Sequence, residues 1–291
     1  MGPCNSVPTI FHEDGAIDYP SIRHLIDFSI EGGCEVIMLT WGDSLISLLT
    51  DDEVAELHRV VIDQTGERAV TIACDNLWGR NKAVEFGRYV RELGFDVYMV
   101  RPAEWAKGTA ESLAEFYTAC GRESPVMFVG DVPLRTLELL ADDPNMWAFK
   151  EDLGLNYAHE IIMRWGDRWP MVGGGGMKRH HLLWAHGHCN TWLDGFCRTF
   201  PAVSRDYWQA LERGDIATAW AQVMQYEVPL RAMAQRVRYG PDGLVKHAMV
   251  EAAGVAPRWR RSPAANPTEE EMDELREFLA GLGPQTQPVA S

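Results

Sequence analysis

Residues 69–102, AVTIACDNLWGRNKAVEFGRYVRELGFDVYMVRP, carry the pattern on which the fold turns. An apolar, β-branched run, AVTIACD, gives way to NKAVEFGRYVRELG, an amphipathic helical stretch, and a second apolar run, DVYMVRP, follows. Short apolar runs separated by helical stretches read as parallel strands buried on both faces and covered by helices. The same alternation extends both ways. Upstream, SVPTIF precedes YPSIRHLIDFSIEGG, and EVIMLT precedes DDEVAELHRVVIDQTG. Downstream come ESLAEFYTACG, PVMFVGDVP with the short LRTLELLAD, MWAFKED with NYAHEIIMRWG, PMVGGGG with KRHHLLWAHG, and NTWLDGF.

Eight strand candidates within about 200 residues fit an α/β fold of the closed (β/α)8 TIM-barrel type better than an open doubly wound sheet. No G-x-G-x-x-G follows the first strand, which weighs against a dinucleotide fold. The expected organisation is a barrel over 4–200, a C-terminal helical extension over 201–283, and a disordered tail over 284–291. In the extension, Thr268 followed by Glu271 is a capping box for the last helix.

Composition narrows the function. The chain has 291 residues, 46% hydrophobic and 24% charged, enough to bury a sizeable core. A net charge of −15 disfavours nucleic acid and anionic membrane surfaces as partners. There is no apolar run of about 18 residues, and MGPCNSVPTIF lacks the features of a secretory leader, so a cytoplasmic location is expected. Six cysteines without a C-x-x-C pair read as buried, unreactive thiols.

In such a barrel, chemistry sits at the C-terminal strand ends. Those ends supply Thr40 to Ser44, Asp75, Arg101 to Trp105, Gly130 and Asp131, Lys150 to Asp152, Gly173 to Gly176, and Trp192 to Asp194. Lys150 is the lysine of this set. Alternation places it with Ala148 and Asp152, and with Phe149 and Glu151 opposite. Desolvation favours the neutral, nucleophilic form of an amine, which can form a Schiff base with a carbonyl substrate. A salt bridge to Asp152 or Asp131 is the other reading of the same pattern.

At these residues the chain resembles the family of dihydrodipicolinate synthase and N-acetylneuraminate lyase, over nearly its whole length. PTIFHEDGAIDYPSIRHLIDFSIEGGCEVIML is similar to the family opening, and TWGDS stands at its T-T-G-E-S loop. PVMFVGDVPLRT matches the strand ending Y-N-x-P-x-R-T, NMWAFKEDLG matches N-I-x-G-I-K-E-x-x-G, and GLVKHAMVEAAGVAPRWRRSP resembles the closing P-V-K motif. The resemblance implies a Schiff base on Lys150 with pyruvate or another 2-oxo acid. It also implies a hydroxyl relay through Thr40, carboxylate binding by the turn at Gly42, and, as in the synthase branch, recognition of a substrate carboxylate by Arg135.

The departures are specific. Trp41 replaces the second threonine, Asp43 the glutamate, and Gly130 the tyrosine that carries protons in the family. RPAEWAKGT replaces a tyrosine-bearing segment. A Schiff-base enzyme still needs a proton carrier, for which Asp131, Asp43, Glu104 or water qualify. Trp41 and Trp105 narrow the pocket towards a more apolar aldehyde. Gly174, in the glycine run after strand seven, is expected to approach the 2-oxo acid closely, and Trp192 to line the pocket.

The cluster His180, His181, His186, His188 and Cys189 is not read as a metal site, because the first two rings diverge on a helix. The combined expectation is a Schiff-base lyase or aldolase without a cofactor, acting on a 2-oxo acid with an aldehyde as second reactant, assembled as a homodimer or homotetramer. An imine-dependent hydratase, dehydratase or decarboxylase, and a binding protein without catalysis, are the alternatives.

Overall fold

A computed structural model of the chain describes residues 2–103, 107–184 and 189–287. Eight strands form one closed barrel in sequence order: β1 Pro3–Ser6, β2 Val36–Met38, β3 Val70–Cys74, β4 Val97–Met99, β5 Val126–Val129, β6 Met146–Glu151, β7 Met171–Gly173 and β8 Cys189–Leu193. Every neighbouring pair is parallel, and β1 closes onto β8. The expected (β/α)8 barrel is therefore the fold. Its strands are almost wholly buried, since one side meets the barrel interior and the other the helices.

The helices between strands are α1 Tyr19–Glu31, α2 Asp51–Thr65, α3 Arg80–Leu93, α4 Ala110–Gly121, α5 Leu134–Leu140, α6 Leu155–Trp165 and α7 Met177–Trp184. Their starts follow local chemistry. The Asp18 side chain accepts from Ser21 N at the head of α1, and Thr50 with Glu53 forms a capping box on α2. The first strand lies upstream of the expected 6–11. Pro8 has no N–H to give a ladder, and after Val7 N donates to Met38 O at 2.8 Å the chain leaves the sheet.

Helices α8 Pro201–Glu212, α9 Ile216–Gln222, α10 Val228–Ala234, α11 Gly240–Gly243, α12 Met249–Ala252 and α13 Glu269–Leu282 form the C-terminal part. The capping box of Thr268 and Glu271 is present on α13. Two π segments, Val223–Glu227 and Leu244–Ala248, interrupt the helical runs. Pro284–Thr286 forms a 3-10 turn in which Thr286 is buried and its hydroxyl donates to Leu279 O at 2.6 Å. All six cysteines are free and buried. Among the described residues no helix is long and apolar enough to cross a membrane.

Candidate active site

Strand β6 runs Met146–Glu151 and turns its alternate residues to opposite sides. Phe149 packs near Tyr157 of α6, and Glu151 meets the Arg179 guanidinium of α7, so these two face the helices. Lys150, between them, points into the barrel, paired in register with Val129 and Val172. Its side chain is 6% exposed. A buried ammonium needs a partner, and Nζ donates a hydrogen bond to Oδ2 of Asp152. The salt bridge expected from the sequence is thus present, with Asp152 rather than Asp131 as the acid.

Across the barrel, the loop after β2 is tied down by hydroxyls. Thr40 Oγ1 shares a 2.8 Å hydrogen bond with Ser6 Oγ and accepts from Asp43 N at 3.1 Å. Ser44 Oγ accepts from Thr40 N at 3.0 Å and donates to Val7 O at 2.6 Å. These bonds close the TWGDS turn and hold Gly42, whose missing Cβ leaves a Lys246 Nζ within 3.7 Å of that position.

Asp43 Oδ1 lies 2.6 Å from Lys246 Nζ, and its Oδ2 lies 3.8 Å from Arg198 Nη1. Burial pushes the Asp43 carboxyl up, but the Lys246 and Arg198 charges outweigh it and hold the group below the usual carboxylate range. Lys246 is raised in turn: burial pulls it down, and Asp43 and Asp242 more than compensate. Arg198 also donates to Ser6 O at 2.9 Å, so it joins this ion cluster to the Ser6–Thr40 hydroxyl pair.

Between these two centres lies a cavity of about 560 Å3. Its barrel wall includes Thr40, Trp41, Gly42, Asp43, Lys150 and Asp152. The opposite wall is C-terminal: Leu230, Ala234 and Gln235 from the α10 region and Val245 with Lys246 from the second π segment. Both π segments deliver a charged residue here, Glu227 and Lys246, in keeping with the use of such bulges to re-aim side chains. Glu227 accepts from Lys178 N and from Arg231, and Arg231 donates to Gly175 O, which ties α10 to the glycine run after β7.

Of the residues singled out in the sequence, Lys150, Thr40, Gly42 and Asp43 meet at this cavity. Others do not. Arg135 is exposed on α5 and pairs with Glu138 one turn on, because i and i+3 face together. The Asp131 side chain is 76% exposed beside Arg101 and lies outside the cavity wall. Trp192 is fully buried between strand and helices, stacked on His180 and packed on Tyr207 and Trp208, so Leu193 takes the place at the cavity. Gly174 does not line the cavity; a side chain there would strike the Asp152 carboxylate and the Glu151 carbonyl. Glu104 and Trp105 lie outside the described residues.

Gly130 has a φ of +77°, a left-handed turn in which a tyrosine would be strained, and the space above its Cα is open as far as Arg101 Nη1, 3.8 Å from an ideal Cβ. His180 is occupied structurally, its ring nitrogens facing Tyr207 Oη and Cys189 O, and burial lowers it to about 4. His186 and His188 lie outside the described residues. Ser6, Arg198 and Lys246 are members of the site that the sequence reading passed over. The P-V-K-like GLVKHAMV contained a signal for Lys246, and RTFP after the last strand held Arg198 without any flanking pattern to mark it.

The model of the dihydrodipicolinate synthetase family matches residues 2–281. A 4-hydroxy-tetrahydrodipicolinate synthase of Geobacter sulfurreducens is 31% identical over 218 residues, 71% of this chain and 74% of the relative. A Rhizobium meliloti protein named "Probable 5-dehydro-4-deoxyglucarate dehydratase" is 25% identical over 286 residues, 94% of this chain and 92% of the relative. The N-acetylneuraminate lyase of Fusobacterium nucleatum, solved with pyruvate, shares the fold at a TM-score of 0.83 and 14% identity, covering 97% of this chain and 96% of that one. With a match over nearly its whole length, the chain belongs to the dihydrodipicolinate synthetase family.

Proposed function

We propose that the chain is a Schiff-base-forming lyase that makes or cleaves a carbon–carbon bond in pyruvate or another 2-oxo acid through an imine on Lys150. The observation that carries this reading is a buried strand-end amine opening onto a cavity of about 560 Å3. That cavity suits a small organic acid. An iminium on Lys150 would draw electrons from the substrate skeleton, which lets a bond at the adjacent carbon form or break.

The Thr40–Ser44 turn gives a place for the substrate carboxylate. Backbone N–H groups in a tight turn favour an anion, and Lys246 and Arg198 stand behind them with positive charge. The apolar side of Leu230, Ala234 and Val245 faces the remainder of the cavity and would take the second reactant. Gly130 supplies no phenol to move protons, which supports a reaction other than that of the named synthases.

One rival keeps the imine and eliminates water instead of breaking a carbon skeleton. The alignment of the Rhizobium meliloti relative over 94% of this chain favours it. Product analysis with a panel of 2-oxo acids separates the two: an aldehyde and a shorter 2-oxo acid mark lyase chemistry, and a dehydrated acid of unchanged carbon number marks the rival. Loss of both with Lys150→Ala is expected; retention of turnover in that variant would remove the imine from either scheme.

A further inference from the structure

Lys150 and Asp152 lie two residues apart at the end of β6, and their side chains meet on the cavity side. The two partners are unequally exposed, 6% for Lys150 and 39% for Asp152. The carboxylate therefore touches the amine with one oxygen and keeps a face towards the cavity. Among the described residues it is the only group hydrogen-bonded to Lys150 Nζ.

The next strand is shaped around it. A Cβ on Gly174 would collide with Asp152 Oδ1 and fall 2.6 Å from the Glu151 carbonyl oxygen. Gly174 N, meanwhile, donates to that carbonyl at 2.9 Å. The backbone of β7 thus passes close to the end of β6, and glycine leaves the volume that the carboxylate occupies.

Other acids at the cavity are committed elsewhere. Asp43 is paired with Lys246 and Arg198. The Asp194 oxygens accept from Phe196 N and Ser204 Oγ. Glu227 serves Lys178 N and Arg231. The charged and ionisable groups around the pair are Asp43 from the loop after β2, Glu151 with Arg179 of α7, and the Cys4 and Cys74 thiols of β1 and β3.

We infer that Asp152 is a catalytic residue, the group that takes the proton from Lys150 and returns it during imine formation. This rests on the reading of Lys150 as the Schiff-base lysine. The protons balance. The Lys150 ammonium gives one proton to the Asp152 carboxylate, leaving a neutral amine beside a carboxylic acid. The amine nitrogen forms a bond to the keto carbon as the carbonyl π pair moves to oxygen, and one proton passes from nitrogen to that oxygen to give the carbinolamine. Asp152 then protonates the hydroxyl, the carbon–oxygen bond breaks, water leaves, and the nitrogen lone pair closes the iminium. The net change is an ammonium and a ketone converted to an iminium and water, with Asp152 restored as carboxylate.

This scheme has a kinetic signature that a merely positioning carboxylate lacks. The reactive amine–acid pair carries the same number of protons as the resting ion pair, so the rate is independent of pH wherever the ion pair persists. Without the carboxylate, the amine must lose its proton to water, and the rate rises about tenfold per pH unit.

The test follows the rate at which Lys150 becomes reducible by borohydride after mixing with pyruvate, across neutral pH, for the intact chain, Asp152→Asn and Asp152→Glu. The intact chain is expected to give a flat profile. Asp152→Asn is expected to be about a hundredfold slower at neutral pH with a rising profile, and Asp152→Glu to recover part of the rate and the flat shape. A rate for Asp152→Asn within about twofold of the intact chain, with the same profile, would overturn the assignment. So would a rising profile in the intact chain, which needs no folded variant. No adduct on the intact chain with any 2-oxo acid overturns the Lys150 reading, and this inference with it; an adduct with Asp152 kinetically silent overturns the inference alone.

Discussion

Lys246 Nζ lies 2.6 Å from Asp43 Oδ1, and this pair fastens the second π segment of the C-terminal part to the loop after β2. The side chains are 13% and 16% exposed, so neither charge is well solvated. Lys246→Met leaves Asp43 with Arg198 at 3.8 Å as its remaining cation. The expected cost is about 2 kcal/mol, between values for surface and fully buried pairs. Urea denaturation measures it, and Asp43→Asn combined with Lys246→Met should recover part of the loss. Full additivity of the two single changes would show that the pair is not coupled.

Asp75 gives a pH dependence with a definite sign. It is fully buried, accepts from Tyr98 Oη at 2.8 Å and from Leu77 N at 3.0 Å, and burial raises it to about 6 against these hydrogen bonds. An acid raised above its unfolded value, near 4, holds its proton more tightly in the folded state. Its contribution to stability is complete below about pH 4 and is lost as the pH rises through about 6.

Asp75→Asn cannot ionise. Its amide can donate to Tyr98 Oη while that hydroxyl keeps its bond to Ala83 O. At neutral pH the variant should therefore be more stable than the intact chain by about 1 to 2 kcal/mol. At about pH 4 the gap should close. Thermal unfolding at the two pH values checks this, and a gap that does not change with pH would rule out titration of Asp75 as its source.

Gly174→Ala tests the close approach of β7 to β6. The new methyl group must displace the Asp152 carboxylate, the Glu151 carbonyl or its own strand. Overpacking of this kind costs about 1 to 3 kcal/mol. The rate of adduct formation at Lys150 should fall at least about tenfold. An unaltered rate at reduced stability would mean that the strand moves and the carboxylate does not.

Arg135→Ala should be nearly silent. Arg135 is 63% exposed and its partner Glu138 lies on the same helix, an arrangement worth less than about 1 kcal/mol. Stability by denaturation and the KM for the 2-oxo acid should both stay within measurement scatter. A large rise in KM would place Arg135 in the site despite its exposed position on α5.

The barrel was readable because eight apolar runs alternate with helical stretches, a pattern that few topologies satisfy. Lys150 was readable because a lysine interrupts the end of such a run, and alternation fixed which neighbours share its face. Trp192 shows where that logic stops: Trp192 and Leu193 are adjacent apolar residues on β8, so hydrophobicity does not say which of them faces the cavity. Arg135 had a local signal against a site role, since Glu138 stands three residues on. The Lys246–Asp43 contact had none, because its partners come from distant parts of the chain and only the packing of the C-terminal part on the barrel joins them. Ser6 was hidden by placing the first strand too late, which put it at a strand start instead of at the strand end facing Thr40.

Borohydride reduction of the chain in the presence of pyruvate and related 2-oxo acids, followed by peptide mass analysis, tests the imine most directly. The expected result is a reduced adduct on Lys150 with at least one of these acids, absent without the acid and absent from Lys150→Ala. An unmodified Lys150 peptide with every acid offered, on protein shown to be folded, would contradict it.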